Sequence, residues 1–434
     1  LRGAVKSQLV LFFPKTKKSL IASWKKTMMK SNPNLSCEKA DQITRCKMNR
    51  KHIYLIENKK FLFILLGIHK NPDLTLLQFR NLKALSAKQS FLKIHRHFNI
   101  SDTLFIYSNI NNIFTTNKNE LSKNSNQYFQ KTLDFLKNYE KIALSIDIST
   151  PHLKISGVEV LKKNSSMYKL YQNVKYNKKT LYQINEKPTL LFSYSLNIDQ
   201  AKELFKRFID KRIRGAINFT LTLTKTLAGI DLHNQFVNHL NGNINIGVFN
   251  SKKIDMINYN TMISFGLKNP QKVKDFLKSF FSKISLIPFV GNFKKLAKGF
   301  QIKVKNIITL YLIIQNNQLI ICSGKKLYKD LTENPASKQL PQIKDNALKN
   351  QLLSKQQVFY LNVDEVYQIF KNFKPLLSIF PGFNKNYSKI DSFFHQFHYL
   401  ISNTHYQDRY HISKITLKTR FKVPFFIGIM KFFK

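Results

Sequence analysis

Apolar positions along the chain switch repeatedly between a period of two and a period near 3.6, which marks strands interleaved with amphipathic helices. The stretch "TLLFSYSL" (189 to 196) reads as a strand, and "DQAKELFKRFIDKRI" as one helix running from Ile198. A second helical stretch runs through "NFTLTLTKTLAGI", followed by "HLNGNINIGVFN" (239 to 250). In that last segment Asn241-Gly242 supplies the positive φ of a tight turn. The alternation after it predicts a hairpin strand with Ile244, Ile246 and Val248 on its inward face. Beyond it come a strand at 261–267, a helix at 271–283 opened by Pro270, paired strands over 301–323 and a short helix. A strand at 357–363, a helix from Asp364 and two strands near 397 to 417 complete the series. Helices set among hairpins, without regular βαβ crossovers, predict an α+β protein with largely antiparallel sheets packed against helices. The expected inward strand residues are Phe63, Ile106, Ile155, Ile246, Phe265, Ile320, Phe359 and Ile412.

The same order of elements occurs twice. "YSNINNIF" (Tyr107 to Phe114) matches "YLNVDEVY" (Tyr360 to Tyr367) at an offset of 253. "IENKKFLFI" matches "IQNNQLIIC" at 258, and "ISGVEV" matches "ISKITL" at 257. "LVLFFPKTKKSLIASW" (Leu9 to Trp24), a strand and then a helix from about Ser19, corresponds to "ISFGLKNPQKVKDFLKSFF". A fixed offset over ordered matches is the signature of a repeat. The expected organisation is therefore module A at 1–165, a linker at 166–185 and module B at 186–434. Residue 1 then aligns near residue 254, inside a module, and the chain starts on Leu1 instead of Met. Module A is expected to lack counterparts of 186–253. An apolar sheet face around Leu9, Leu11 and Phe13 should then be uncovered, with an upstream segment and export signal or anchor restoring it.

The 434 residues suffice for two to three domains with real cores, and 43% hydrophobic with 37 Phe is a globular composition. A net charge of +47, from 71 basic and 24 acidic residues, raises three readings. The first is compositional drift of an AT-rich coding sequence, and the second a basic surface toward a membrane or cell wall. Nucleic acid comes third, because only 10 of the 71 cations are Arg and they do not gather into a stripe. The densest cationic stretch is "KRFIDKRIRG", with Lys206, Arg207, Lys211, Arg212 and Arg214 beside Phe205 and Phe208. It could rest on an anionic surface as a basic amphipathic helix, or pack its apolar side on the sheet with its cations in water.

Candidate chemistry is sparse. Cys37 and Cys46 fit no zinc or CxxC spacing, although one bridge between them is compatible with an oxidising compartment; Cys322 lies in an apolar run. His395 and His398 would share a helix face near Asp391, His233 and His239 flank a turn near Asp231, and His95 with His97 forms a basic knot. All are better read as structural or surface histidines. Asp364 and Glu365 suit the start of a helix, as dipole partners, better than paired-carboxylate catalysis. No phosphate-loop, nucleophile-elbow or zincin motif occurs, and no catalytic, cofactor-binding or metal-binding residue is assigned. The longest apolar runs, at 61–68 and 425–430, fall short of the roughly 20 residues of a membrane-crossing helix.

The run "AGIDLHNQFVNHLNGNINIGVF", with "ISFGLKNPQKVKDFL", "LIIQNNQLIICSG" and "VFYLNVDEVYQIF", resembles a bacterial family known as a domain of unknown function. The likeness is carried by apolar patterning and Gly229, Gly242, Gly247 and Gly324. It implies α+β modules in exported or membrane-anchored proteins without an established activity. The expected function is a non-catalytic envelope scaffold or binding protein, with an anionic membrane or envelope surface as partner and no cofactor. The alternative is an RNA- or ribosome-associated basic protein. If an upstream signal exists the location is the envelope; otherwise it is the cytoplasm.

Overall fold

The computed structural model describes residues 9–14, 35–40, 43–48, 51–57, 61–66, 93–94, 97–98 and 103–110. It also describes 127–432, apart from 209–210, 250–259, 285–291, 305–307, 334–341, 355 and 380–382. It is a mixed α+β protein that divides into two compact units. Unit 1 comprises 1–163 with 407–434, and unit 2 comprises 164–406.

Unit 1 opens with β1 (Leu9–Pro14), β2 (Leu35–Ala40), β3 (Ile43–Met48), β4 (Lys51–Glu57), β5 (Phe61–Leu66) and β6 (Thr103–Asn109). Helix α1 (Gln127–Leu136) and strands β7 (Tyr139–Asp147) and β8 (Leu153–Leu161) follow. The strands pair antiparallel in the order β2-β3-β4-β5-β1-β6-β7-β8. Cys37 and Cys46 face each other across β2 and β3 and are joined in a disulfide, with Cα atoms 4.0 Å apart.

Unit 2 begins with two short helices, α2 (Ser166–Tyr171) and α3 (Lys179–Tyr182), before β9 (Pro188–Ser195). Helices α4 (Ile198–Phe208), α5 (Lys211–Ala228) and the turn α6 (Leu232–Gln235) lead into β10 (Leu240–Phe249) and β11 (Asn260–Leu267). Helix α7 (Pro270–Ile284) precedes four strands, β12 (Asn292–Leu296), β13 (Gly299–Val304), β14 (Ile308–Gln315) and β15 (Gln318–Ser323). Then come α8 (Lys325–Glu333), α9 (Asn346–Ser354), β16 (Gln357–Asn362), α10 (Val363–Leu377), α11 (Phe383–Phe394) and β17 (Phe397–Gln407). The antiparallel order is β12-β13-β14-β15-β11-β10-β9-β16-β17. The chain then rejoins unit 1 through β18 (Tyr410–Thr419), which pairs with β8, and α12 (Phe425–Phe432).

Local chemistry explains many of the boundaries. Asn269 accepts from the Lys272 amide ahead of Pro270, so α7 starts on a cap followed by a residue that needs no N–H. Asp345 and Asn362 cap α9 and α10 in the same way. Asn316 and Asn317 both have positive φ (51° and 57°), the conformation of the two-residue turn that joins β14 to β15. Helix α7 lays Val273, Leu277 and Phe281 on Leu267, Leu312 and Leu319, each buried large side chain contributing about 2 kcal/mol. On the other side of the unit 2 sheet, α3, α8 and α9 bring Leu181, Leu327, Leu331, Leu348 and Leu352 onto Leu191, Met262, Ile320 and Tyr360.

Several expectations are corrected. Residues 166–185 are no linker: Leu181, Tyr182 and Ile184 are core residues of unit 2. The final strand belongs with unit 1, so the division falls at two points, because β18 finds its ladder partner in β8. Of the helix expected from Ile198 to 213, Ile198–Phe208 and the residues from Lys211 on are helical, and 209–210 lie outside the described residues. Asn241-Gly242 is not a hairpin turn but lies inside β10, where the register on β11 shifts between Leu240 and Ile244, the mark of a bulge. Of the expected inward residues, Ile320 and Ile412 are buried, while Ile155, Ile246, Phe265 and Phe359 are half-buried. The side chains of Phe63, Ile106, Leu9, Leu11 and Phe13 and the helix expected from Ser19 lie outside the described residues.

The bulge gives a sharp test. Gly242 has φ +90°, and a Cβ there would lie 1.8 Å from the Leu196 carbonyl oxygen. In α5, Gly215 has nothing within 4 Å of the same position. In urea unfolding, Gly242→Ala should destabilise the protein by about 2 kcal/mol or more, from backbone strain plus displacement of Leu196. Gly215→Ala should stabilise it by about 0.5–1 kcal/mol.

Candidate functional site

The polar residues of unit 2 converge on one face of its sheet. Ser193 and Ser195 on β9, Asn243 and Asn245 on β10, Ser264 on β11 and Gln318 on β15 are all buried on the side covered by α3. Their partners are one another. The Ser193 hydroxyl donates to Asn245 Oδ1 at 2.7 Å, and Asn243 Nδ2 donates to Ser195 Oγ at 2.6 Å. Asn245 Nδ2 is shared among Ser264 Oγ at 2.9 Å, Asn243 Oδ1 at 3.0 Å and the Asn177 carbonyl at 2.9 Å. Gln318 Nε2 reaches Asn243 Oδ1 and the same Asn177 carbonyl, while Thr180 Oγ1 donates to Gln318 Oε1 at 2.6 Å. Buried amides and hydroxyls are tolerable because they are satisfied in this way. The cluster is therefore closed: it holds strands and cover together and presents no group to a ligand.

Beside the cluster, the same cover segment is tied to α9. Lys178 Nζ donates to the Leu352 and Leu353 carbonyls at 2.9 and 3.3 Å, near the C-terminal end of α9, and Tyr182 Oη donates to Leu352 O at 2.7 Å. The two carbonyls favour the charged ammonium, but burial outweighs them and brings the Lys178 pKa down to about 8. Burial likewise pushes the Cys322 thiol up to about 12, leaving it an inert core residue.

At the end of β9 and β10 the sheet opens into a cleft of about 610 Å3. One wall is the end of α2 and the 172–175 turn, with Lys169, Gln172, Asn173 and Lys175. The start of α4 adds Asn197, Asp199 and Gln200 next to it, the Asn197 amide donating to the Leu170 carbonyl of α2, and the floor includes Asn241 and Lys268. The bulge shapes this floor. Asn241 Oδ1 accepts from the Asn243 amide at 3.0 Å, and its side chain occupies the space a Cβ on Gly266 would need. Asn197 Oδ1 accepts from the Asp199 and Gln200 amides, so the N-terminus of α4 is capped from within the chain.

The sequence-assigned cationic group is distributed over α4 and α5. Lys206 and Arg207 lie on α4, and Lys211, Arg212 and Arg214 on α5. Of these only the Arg214 side chain is among the described ones; it is half-buried, and its Nε is buried without a hydrogen-bond partner among the described residues. Helix α5 nonetheless exposes Ile213 (55%), Ile217 (38%) and Phe219 (68%). Arg214 therefore shares its helix with an apolar side that the described residues leave uncovered.

The histidines separate. His395 follows the end of α11, 4.0 Å from Asp391, while His398 lies on β17, 3.1 Å from Asp364. They share no helix face, and no group of three metal-ligating side chains occurs among the described residues. His97 has a pKa lowered by burial and by Lys414. Asp231 caps α6 through the Asn234 amide. Asp364 and Glu365 do open α10, and each also has a side-chain partner, His398 Nδ1 at 3.1 Å and Lys187 Nζ at 2.6 Å. No helix among the described residues is long and apolar enough to cross a membrane. No protein family, curated protein or solved structure matches the chain.

The residues that sequence reasoning missed, Asn243, Asn245, Ser193, Ser195 and Ser264, carried a signal. They recur at i, i+2 on adjacent strands, opposite Ile244, Ile246 and Val248. Two predictions follow from the cluster and its cover. Asn245→Leu leaves Ser193 and Ser264 short of a partner and the Asn177 carbonyl with Gln318 alone, and should destabilise the folded state by about 3 kcal/mol. For Lys178, the folded-state pKa of about 8 lies below the unfolded value, so the unfolded chain holds more protons between them. Stability should rise with pH over that window, and Lys178→Met should flatten the rise relative to the parent in parallel urea titrations.

Proposed function

We propose that the protein is a non-catalytic, envelope-associated binding or scaffold protein that meets an anionic membrane surface through α5. The observation that carries this reading is the exposure of Ile213, Ile217 and Phe219 on a helix that begins with Lys211, Arg212 and Arg214. Ile213, Ala216 and Ile217 fall on one side within a turn, with Phe219 at its margin. An apolar side flanked by cations is the pattern of a helix lying in a lipid interface, where hydrophobic burial and attraction to anionic headgroups add. The Cys37–Cys46 disulfide supports an oxidising compartment, as expected of an exported protein and of the family the sequence resembles.

The same proposal takes the chain as two copies of one module. Strand order supports it: β2-β3-β4-β5-β1-β6-β7 in unit 1 parallels β12-β13-β14-β15-β11-β16-β17 in unit 2, where β10 and β9 are inserted between β11 and β16. The matched strands β8 and β18 also pair with each other. Ile155, which matches Ile412, lies opposite Ile415, and Ile412 lies opposite Val158, so the ladder reads alike from either strand.

Vesicle flotation tests the membrane reading. The intact chain should float with phosphatidylglycerol-containing vesicles at about 0.15 M salt and not with pure phosphatidylcholine. Ile213→Asn with Phe219→Ser should weaken binding about tenfold or more. Binding that this pair leaves unchanged would sink the role of α5. Loss of vesicle binding to competing RNA at equal phosphate would favour a nucleic-acid partner instead.

A further inference from the structure

We infer that the cleft at the junction of α2 and α4 in unit 2 is a binding site for an acidic saccharide, a sugar carrying a carboxylate or phosphate. Three lysines reach it from three separate segments: Lys169 from α2, Lys175 from the turn after it and Lys268 from the end of β11. Asp199 is the carboxylate among the lining residues, and it is already held by Lys202 at 3.8 Å and Lys268 at 3.5 Å. No carboxylate pairs with Lys169 or Lys175 among the described residues, and both are exposed. The cleft therefore keeps an excess of positive charge at its mouth, at short range from any anion that enters.

Charge alone would suit a bare phosphate; the rest of the lining does not. A volume of about 610 Å3 lies in the range of sites that enclose a small organic ligand and far exceeds one inorganic anion. Gln172, Asn173 and Gln200 each present both a donor and an acceptor, the combination that matches neighbouring sugar hydroxyls. The α4 amides are not the attraction, since Asn197 already takes those of Asp199 and Gln200. The floor is rigid, because Asn241 is fixed by the bulge and packed against Gly266. Lys169 and Lys175 bind the acidic group, the amides orient the hydroxyls, and Lys268 exchanges Asp199 for the ligand.

Titration of the intact chain by calorimetry and by backbone amide shifts tests this, with digalacturonate, glucose 6-phosphate, lactose and inorganic phosphate as probes. At least one acidic sugar should bind, with shifts centred on 169–175 and 197–200. Lactose and inorganic phosphate should bind at least about tenfold more weakly. Lys169→Gln with Lys175→Gln should weaken the acidic sugar about tenfold or more while leaving the urea midpoint unchanged, since both side chains are exposed. Failure of both acidic sugars, equal binding of inorganic phosphate, or an unaltered affinity in the double variant would each overturn the assignment. None of these residues lies on α5, so the result is independent of the membrane test.

Discussion

An amide side chain enclosed in a protein core must find polar partners or lose its hydration without return, and unit 2 is arranged around that constraint. Asn243 and Asn245 point into the buried side of a sheet whose neighbouring strands supply Ser195, Ser193, Ser264 and Gln318 at hydrogen-bonding distance. A slip of one residue in any of the four strands would turn these groups to the opposite face and leave their partners unsatisfied. Hydrophobic burial alone would tolerate several registers; the amides leave one. The cover is selected by the same logic, because the Asn177 carbonyl completes both Asn245 and Gln318 and Thr180 completes Gln318 again.

The cleft is a consequence of that arrangement. To place Asn243 beneath Ser195 while Leu240 still pairs with Leu267, β10 has to accommodate extra residues, and it does so at Asn241 and Gly242. Gly242 lets the backbone come against the Leu196 carbonyl, and Gly266 leaves room for the Asn241 side chain. The cleft lies beside this irregularity, where α2 packs against α4 and the Asn197 amide donates to the Leu170 carbonyl. The closed polar core thus borders a polar cleft, the Asn243 amide donating to the Asn241 side chain that lines it.

Much of the element order was legible because it depends on local chemistry. The strand read at 189–196 is found at Pro188–Ser195, the helix read at 271–283 at Pro270–Ile284, and the acidic start of α10 where Asp364 and Glu365 suggested it. The orientation of β10 was not legible. Its alternation separates Ile244, Ile246 and Val248 from Asn243 and Asn245 but does not say which set is enclosed, and the expectation that polar residues face water fails where helices cover both sides of a sheet. Asn-Gly signals positive φ without distinguishing a turn from a bulge. The role of 166–185 was hidden for a related reason: short polar helices such as α3 gain their stability from what they cover, not from their own periodicity. The cleft has no sequence motif, since its lysines and amides are brought together only by the fold.

Electrostatics completes the account. With 24 acidic residues against 71 basic, carboxylates are too scarce to neutralise the surface, and many described ones are placed where an element must be tied down. The segment leading into β9 is held by three of them: Asp330 accepts the Asn185 amide, Glu186 pairs with Lys326 and takes the Asn260 side chain, and Glu365 pairs with Lys187. In unit 1, Glu140 and Glu159 do the same for β18 through Arg409 and His411. With 24 carboxylates for 71 cations, most cations have no carboxylate to pair with, and a surface of that kind attracts anions at long range wherever the fold adds a second feature. The described chain adds one at the uncovered apolar side of α5 and another at the amide-lined cleft, and the two differ in what they would select: apolar depth in the first, hydroxyls in the second.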